Sequence, residues 1–473
     1  MNKRFFLSIF IALSCNTSFA QNAPAPYGAL PTKYQLEWQD METYMFIHFG
    51  PNTFTDKEWG HGDEDPKVFN PKKLDARQWV RTAKAAGMKG IIITAKHHDG
   101  FALYPSKYST HTVRESAWKD GKGDVLKELS AACKEYGVKF GVYLSPWDRN
   151  HPKYGTSEYN QIFANMLEEV HTQYGPVFEQ WFDGAKGEGE KSQTYDFPLF
   201  NSIVYKHNPQ AIIFSDVGPG TRWMGNEDGI VGETNWSTLN ADGFGPGADA
   251  PPRKSLNEGD FKGKYWLPAE VDVSIRPGWF YSPSTDNKVK SLKQLVSIYQ
   301  TSVGRNGNLL LNVPVDRDGL IHVADSTRLM EFRKYLDAAY KNDLAKGKKV
   351  TANGLSRGKL FSPMNLTDGK PNTYWAPPDG MKNSWLTLDL GKQTEINQII
   401  LQENLKLGQR VREFSIMYWD GKAYREVASQ TTIGHKRIIS FPTLKTSRLK
   451  VYFSETQVAP ALSNISVYKV PDL

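Results

Sequence analysis

The chain has 473 residues, 39% hydrophobic and 12% aromatic, with a formal charge of +7. That is enough apolar material for two or three packed domains, which excludes global disorder. The charge is small for this length and no Lys/Arg run concentrates it, so nucleic acid is not the expected partner.

At the N-terminus, Lys3 and Arg4 precede an almost wholly apolar stretch, Phe5 to Leu13, and Ser18-Phe19-Ala20 follows as a small-x-small cleavage site. Residues 1–20 therefore read as a signal peptide, too short to span a bilayer. Export follows, with a periplasm as the expected compartment. Cys15 adds an alternative, lipoprotein processing and anchoring at the cell envelope; without lipidation there, no membrane contact is expected. Cys133 is then alone in the mature chain, so neither an internal disulfide nor a cysteine zinc site is expected.

Residues 21–345 alternate short apolar runs with amphipathic segments. The strands expected in order are Met45–His48, Gly90–Ala95, Lys139–Leu144, Phe178–Phe182, Ala211–Ser215, Ile230–Thr234, Tyr265–Val273 and Leu309–Val313. Several are continuous apolar or β-branched runs, the pattern of strands buried on both faces. Helical patterns lie between them, from Leu74 to Gly87, Gly123 to Gly137, Ser157 to Tyr174 and Ser291 to Val303. Eight strands with intervening helices predict an α/β fold, a (β/α)8 TIM-like barrel. A doubly wound open sheet is the alternative, but no Gly-rich phosphate loop follows the first strand. A last helix over 325–346 leads into a region of a different pattern. Residues 346–473 carry short alternating runs and an Asp420-Gly421 turn signal, which predict an all-β sandwich.

The polar residues with chemical capacity fall at the C-terminal ends of the barrel strands: His48, His97-His98-Asp99, Tyr143 with Asp148, and Asp183. Active sites of such barrels sit at that face. Asp183, followed by Gly184 and a loop, is the sharpest candidate, because no good helix starts there for it to cap. Retaining glycosidases pair two carboxyls, and four glutamates compete to be its partner: Glu58, Glu227, Glu233 and Glu270. Glu227, in a loop beside Trp223 and Gly225, has the freedom a general acid needs, which favours it modestly. The histidines are read as hydroxyl-binding groups. Adjacent His97 and His98 point to opposite sides of an extended strand, so sharing one metal ion would require the strand end to bend.

Met45-Phe46-Ile47-His48-Phe49-Gly50, Glu58-Trp59, Lys96-His97-His98-Asp99-Gly100-Phe101, Gly141 to Ser145 and Trp181-Phe182-Asp183-Gly184 together resemble glycoside hydrolase family 29, the retaining α-L-fucosidases. The resemblance implies Asp183 as nucleophile, and His48, Glu58, Trp59, His97, His98 and Tyr143 as residues that hold fucose. Arg222 to Glu227 and Val271 to Trp279 are similar to segments of the subgroup acting on α-1,3 and α-1,4 linkages. That implies Glu227 as acid/base and a branched substrate of Lewis a or Lewis x type. Trp279 is expected to supply an apolar wall for the fucose methyl. Neither chemical step needs a metal. The C-terminal region resembles the discoidin-like domain through Asn365-Leu366-Thr367-Asp368-Gly369, Thr373-Tyr374-Trp375 and Trp385 to Gly391. That implies a structural Ca²⁺ near Asp368. The competing expectations are a fucosidase of other or broad linkage preference, a metal-dependent hydrolase on the same barrel, and a glycan binder without activity.

Overall fold

A computed structural model describes residues 22–354 and 356–473; the expected signal peptide, with Cys15, lies outside the described residues. Eight parallel strands close into a barrel. They are β1 (Thr43–Ile47), β2 (Gly90–Lys96), β3 (Lys139–Leu144), β4 (Glu179–Trp181), β5 (Ile212–Ser215), β6 (Thr221–Trp223), β7 (Ala269–Ser274) and β8 (Gly307–Asn312). Each pairs with its neighbours in sequence order, and β8 pairs with β1 to close the ring.

Alternation along the strands builds two cores. Tyr44 and Phe46 of β1 point into the barrel, where they meet Ile92, Tyr143, Trp181, Phe214 and Leu310. Met45 and Ile47 point outward to the helix layer, with Ile91, Ile93, Val142 and Ile213. Both faces are buried, which is why these strands read as unbroken apolar runs.

The sixth strand departs from expectation. Ile230–Thr234 is a loop, and the strand is the three-residue Thr221–Trp223, reached from β5 with no intervening helix. Val231 is apolar because it packs with Met224, Ala269 and Val271, not because it lies in the sheet. The expected Tyr265–Val273 strand is also split. Tyr265–Trp266 pairs with Thr238–Leu239 in a small separate ribbon, and only Ala269–Ser274 enters the barrel. The last barrel helix spans Val323–Ala339, ending earlier than its pattern suggested.

The second domain is one six-stranded antiparallel sheet: β9 (Lys349–Ala352), β10 (Ser384–Glu403), β11 (Val411–Trp419), β12 (Tyr424–Thr431), β13 (Arg437–Thr456) and β14 (Leu462–Tyr468). The two longest strands, β10 and β13, carry bulges between Asp389 and Thr394 and between Ile396 and Gln398 of β10. Bulges bend strands. Residues from both halves of β10, Leu386, Leu388 and Leu390 with Ile396, Ile399 and Leu401, meet in one core. Asp420 makes the expected hairpin, its carboxylate accepting the N–H groups of Lys422 and Ala423.

Candidate active site

Residues from β1 to β7, or from just beyond their C-terminal ends, line one cavity of about 260 Å³. Barrel position explains each. β1 delivers Phe46 inward and ends so that His48 follows on the same face. β2 shifts register against β3 after Thr94 and ends at Lys96. Strict alternation therefore stops before His97 and His98. Instead of facing opposite sides, their rings lie 4.1 Å apart and both line the cavity. The chain bends there, which the pattern of an ideal strand could not anticipate. Among the described residues, no three His, Cys, Asp or Glu side chains gather as a metal cage.

Asp183 follows β4, with Trp181 directed into the barrel and Phe182 into the helix layer. Its carboxylate accepts the Ala185 N–H at 2.7 Å and the Tyr143 hydroxyl at 3.0 Å. His98 Nε2 stands 3.5 Å away, with its Nδ1 paired to Ser145 Oγ at 2.8 Å. Gly184 is required here, since a Cβ would lie 2.6 Å from both Asp216 Oδ2 and the Gly247 nitrogen. Burial raises the Asp183 pKa, while its two donors hold it down and favour the ionised form.

Glu227 lies on the loop after β6 and has a different environment. Among the described residues its one hydrogen bond is from Trp279 Nε1, at 3.3 Å. Burial raises its pKa, and the nearby Asp183 charge adds to the rise. Two carboxyls therefore share a cavity with unequal support for the charged form.

The histidines are kept neutral. Burial pushes His48 down to about 3, although Asn312 Oδ1 pairs with its Nδ1 at 2.9 Å. His97 and His98 are pushed well below the ordinary range by burial, then by neighbouring positive groups. Neutral imidazoles can both donate to and accept from hydroxyls. Trp59, 45% exposed, stands at the mouth edge-on to His98 and Trp147. Trp279 lines the wall, its ring centroid 5.1 Å from that of His48.

Glu58 is not among the lining residues. Its carboxylate accepts the backbone N–H of Trp279 and so seats the segment that carries that wall. The remaining candidates separate clearly. Glu233 is solvent-exposed. Glu270 lies beneath the cavity, paired with Glu179: Trp181 Nε1 donates to the first and Trp38 Nε1 to the second. Burial raises both, Glu270 well above the ordinary carboxyl range.

Two lining carboxyls escaped the sequence reading. Asp216, just past β5, accepts the Gly247 N–H at 2.6 Å and is raised by burial to about 6. Asp272 accepts from Trp223 Nε1 at 3.0 Å and is raised strongly by burial. The strand-end rule points to Asp216, and the alternation Glu270-Val271-Asp272 puts two acids on the inner face. Among the described residues, no lysine or arginine lines the cavity. In the second domain, the Thr373 hydroxyl lies 2.9 Å from the Asp368 carboxylate and 3.1 Å from the Lys370 carbonyl. These are three oxygens of the kind Ca²⁺ takes, fewer than the roughly six to eight of its full shell.

Comparison with known proteins gives consistent matches. The α-L-fucosidase family matches residues 27–341, and the F5/8 type C domain matches residues 349–465. α-L-Fucosidase 1 of Arabidopsis thaliana is 41% identical, over 98% of this chain and 92% of that protein. The crystal structure of a putative α-L-fucosidase from Bacteroides thetaiotaomicron superposes with a TM-score of 0.90 at 39% identity, covering 95% of this chain and 99% of that one. A GH29 fucosidase of Ruminococcus gnavus, solved in complex with fucose, gives 0.87 at 33%, covering 95% and 97%.

Proposed function

The chain belongs to the α-L-fucosidase family of retaining glycoside hydrolases, and from that premise we propose that it releases terminal L-fucose from α-1,3/1,4-fucosylated glycans of Lewis a or Lewis x type. The observation that carries the assignment of roles is the unequal partnering of Asp183 and Glu227. Asp183, whose anion the Ala185 N–H and the Tyr143 hydroxyl support, attacks the anomeric carbon as the glycosidic C–O bond breaks. Glu227, poorly supported as an anion, delivers its proton to the departing oxygen. It then takes a proton from water, which displaces Asp183 and frees fucose. His48, His97, His98 and Tyr143 hold the sugar hydroxyls. Trp279 faces the methyl, Trp59 closes the mouth, and Glu58 acts through the Trp279 segment.

A cavity of about 260 Å³ suits a single terminal sugar, which supports exo action. The linkage reading rests on the Arg222 to Glu227 and Val271 to Trp279 segments. Neither step is routed through a metal. Asp368, Thr373 and the Lys370 carbonyl would hold a Ca²⁺ ion in the second domain, where it would brace the turn. Export by residues 1–20 to a periplasm, or lipidation at Cys15, completes the proposal.

The test is hydrolysis of an aryl α-L-fucoside beside a Lewis a or Lewis x trisaccharide. Fast trisaccharide cleavage with poor aryl turnover is expected. Equal turnover would overturn the linkage claim, and failure on both would overturn the fucosidase reading for this chain.

A further inference from the structure

The loop that carries Glu227 begins in β6 and closes on itself at its base. Arg222 of β6 donates from Nη2 to Asn235 Oδ1 at 2.8 Å, so one hydrogen bond joins the two ends of the loop. Both residues are fully buried. Asn235 is also the point where the second domain takes hold. Its backbone N–H donates to Thr432 Oγ1 at 3.0 Å, and its carbonyl accepts from Gln409 Nε2 at 3.0 Å. Its side-chain amide donates to the Arg305 carbonyl at 2.8 Å. Just before it, the Glu233 carbonyl accepts from buried Arg437 at 2.7 Å, and the Thr234 and Thr431 hydroxyls meet at 2.8 Å.

Thr432 marks this contact in a second way. Its φ is +43°, a left-handed conformation that a β-branched residue rarely adopts. Such strain persists only where the surroundings over-determine it, and it gathers at functional positions. Here a hydroxyl at this exact place satisfies the Asn235 N–H, which would otherwise be buried without a partner.

We infer that the second domain positions the acid/base loop, with Thr432 acting through Asn235 to set the base of the segment that carries Glu227. Thr432 touches no substrate in this account, so it is a positioning residue. The inference rests on the reading of Glu227 as acid/base.

Leaving-group dependence separates positioning from mere stability. A sugar alcohol departs only with a proton, whereas an activated phenolate departs without one. Glu227→Gln should lose about 10²–10⁴-fold in kcat/KM on the fucosylated oligosaccharide and far less on an activated aryl fucoside. Thr432→Gly removes the hydroxyl and relieves the positive φ, so it is expected to fold. It should lose about tenfold on the oligosaccharide, a fraction of the full acid contribution, while staying within about twofold on the activated substrate. Thr432→Ser, which keeps the hydroxyl, should restore the oligosaccharide rate. An equal loss on both substrates in Thr432→Gly, or no loss on the oligosaccharide, would overturn the inference. An equal loss on both in Glu227→Gln would instead overturn the reading of Glu227 and the inference resting on it.

Discussion

The mouth of the barrel and the seam with the second domain handle polar groups in opposite ways. At the mouth, Glu227 has one long hydrogen bond, three histidines are buried without charge, and four carboxyls stand without a lining cation. At the seam and in the second domain just behind it, polar groups are more fully partnered, although Arg437 Nε has no partner among the described residues. The Glu403 carboxylate accepts the N–H groups of Arg410, Val411 and Gly434 at 2.7–2.9 Å. Arg410 in turn donates to the carbonyls of Leu407 and Ala459. Asn235 uses both its amide and its backbone there. Partnering is sparse at Glu227, the proposed acid/base, and fuller at the seam, where geometry is held.

Acid should expose the difference first, and with the larger effect. His48 titrates near 6.5 when unfolded and at about 3 when folded, so below pH 6.5 the unfolded chain binds the extra proton. His97 and His98 shift in the same direction. Each such histidine should therefore cost about 1.4 kcal/mol per pH unit as pH drops below 6.5, while the carboxyls that burial raises, Asp216 and Asp272 among them, act in the opposite direction, so the histidine contribution is read by difference. Denaturant titrations between pH 7 and pH 5, on the protein and on His48→Gln, measure that difference, with the steeper acid loss expected in the unsubstituted protein. The same pH slope in both would contradict burial of a neutral His48 at the mouth.

A smaller, pH-independent effect should come from the seam. Gly434 has φ +68°, and a Cβ there would lie 2.1 Å from Asn306 Cγ. Gly434→Ala is expected to cost about 2–3 kcal/mol, from overpacking and a disfavoured backbone. Urea unfolding checks it. A neutral outcome would mean that the seam is looser than its hydrogen bonds indicate.

The barrel was legible in sequence because strands buried on both faces read as continuous apolar runs, and because Gly and capping residues end the helices between them. β6 was hidden for the converse reason. It is three residues long and contains Arg222, whose charge is buried by donating to the carbonyls of Leu256 and Leu267. Ile230–Thr234 looked more strand-like through an apolar contact made outside the sheet. At the site, His48, Tyr143 and Asp183 followed from strand ends. Asp272 did not, since it sits inside a strand and its neighbours Val271 and Val273 dominate the pattern. The convergence of His97 and His98 depended on a register shift against β3, a pairing property that no local pattern encodes.

The central claim is that Asp183 forms the covalent bond to fucose while Glu227 moves the proton. A slow-turnover fluorinated fucoside traps the glycosyl-enzyme, and peptide mass mapping then locates the sugar. A single label on Asp183 is the predicted result. A label on Asp216, Glu227 or Asp272, or no covalent adduct during inactivation, would contradict it.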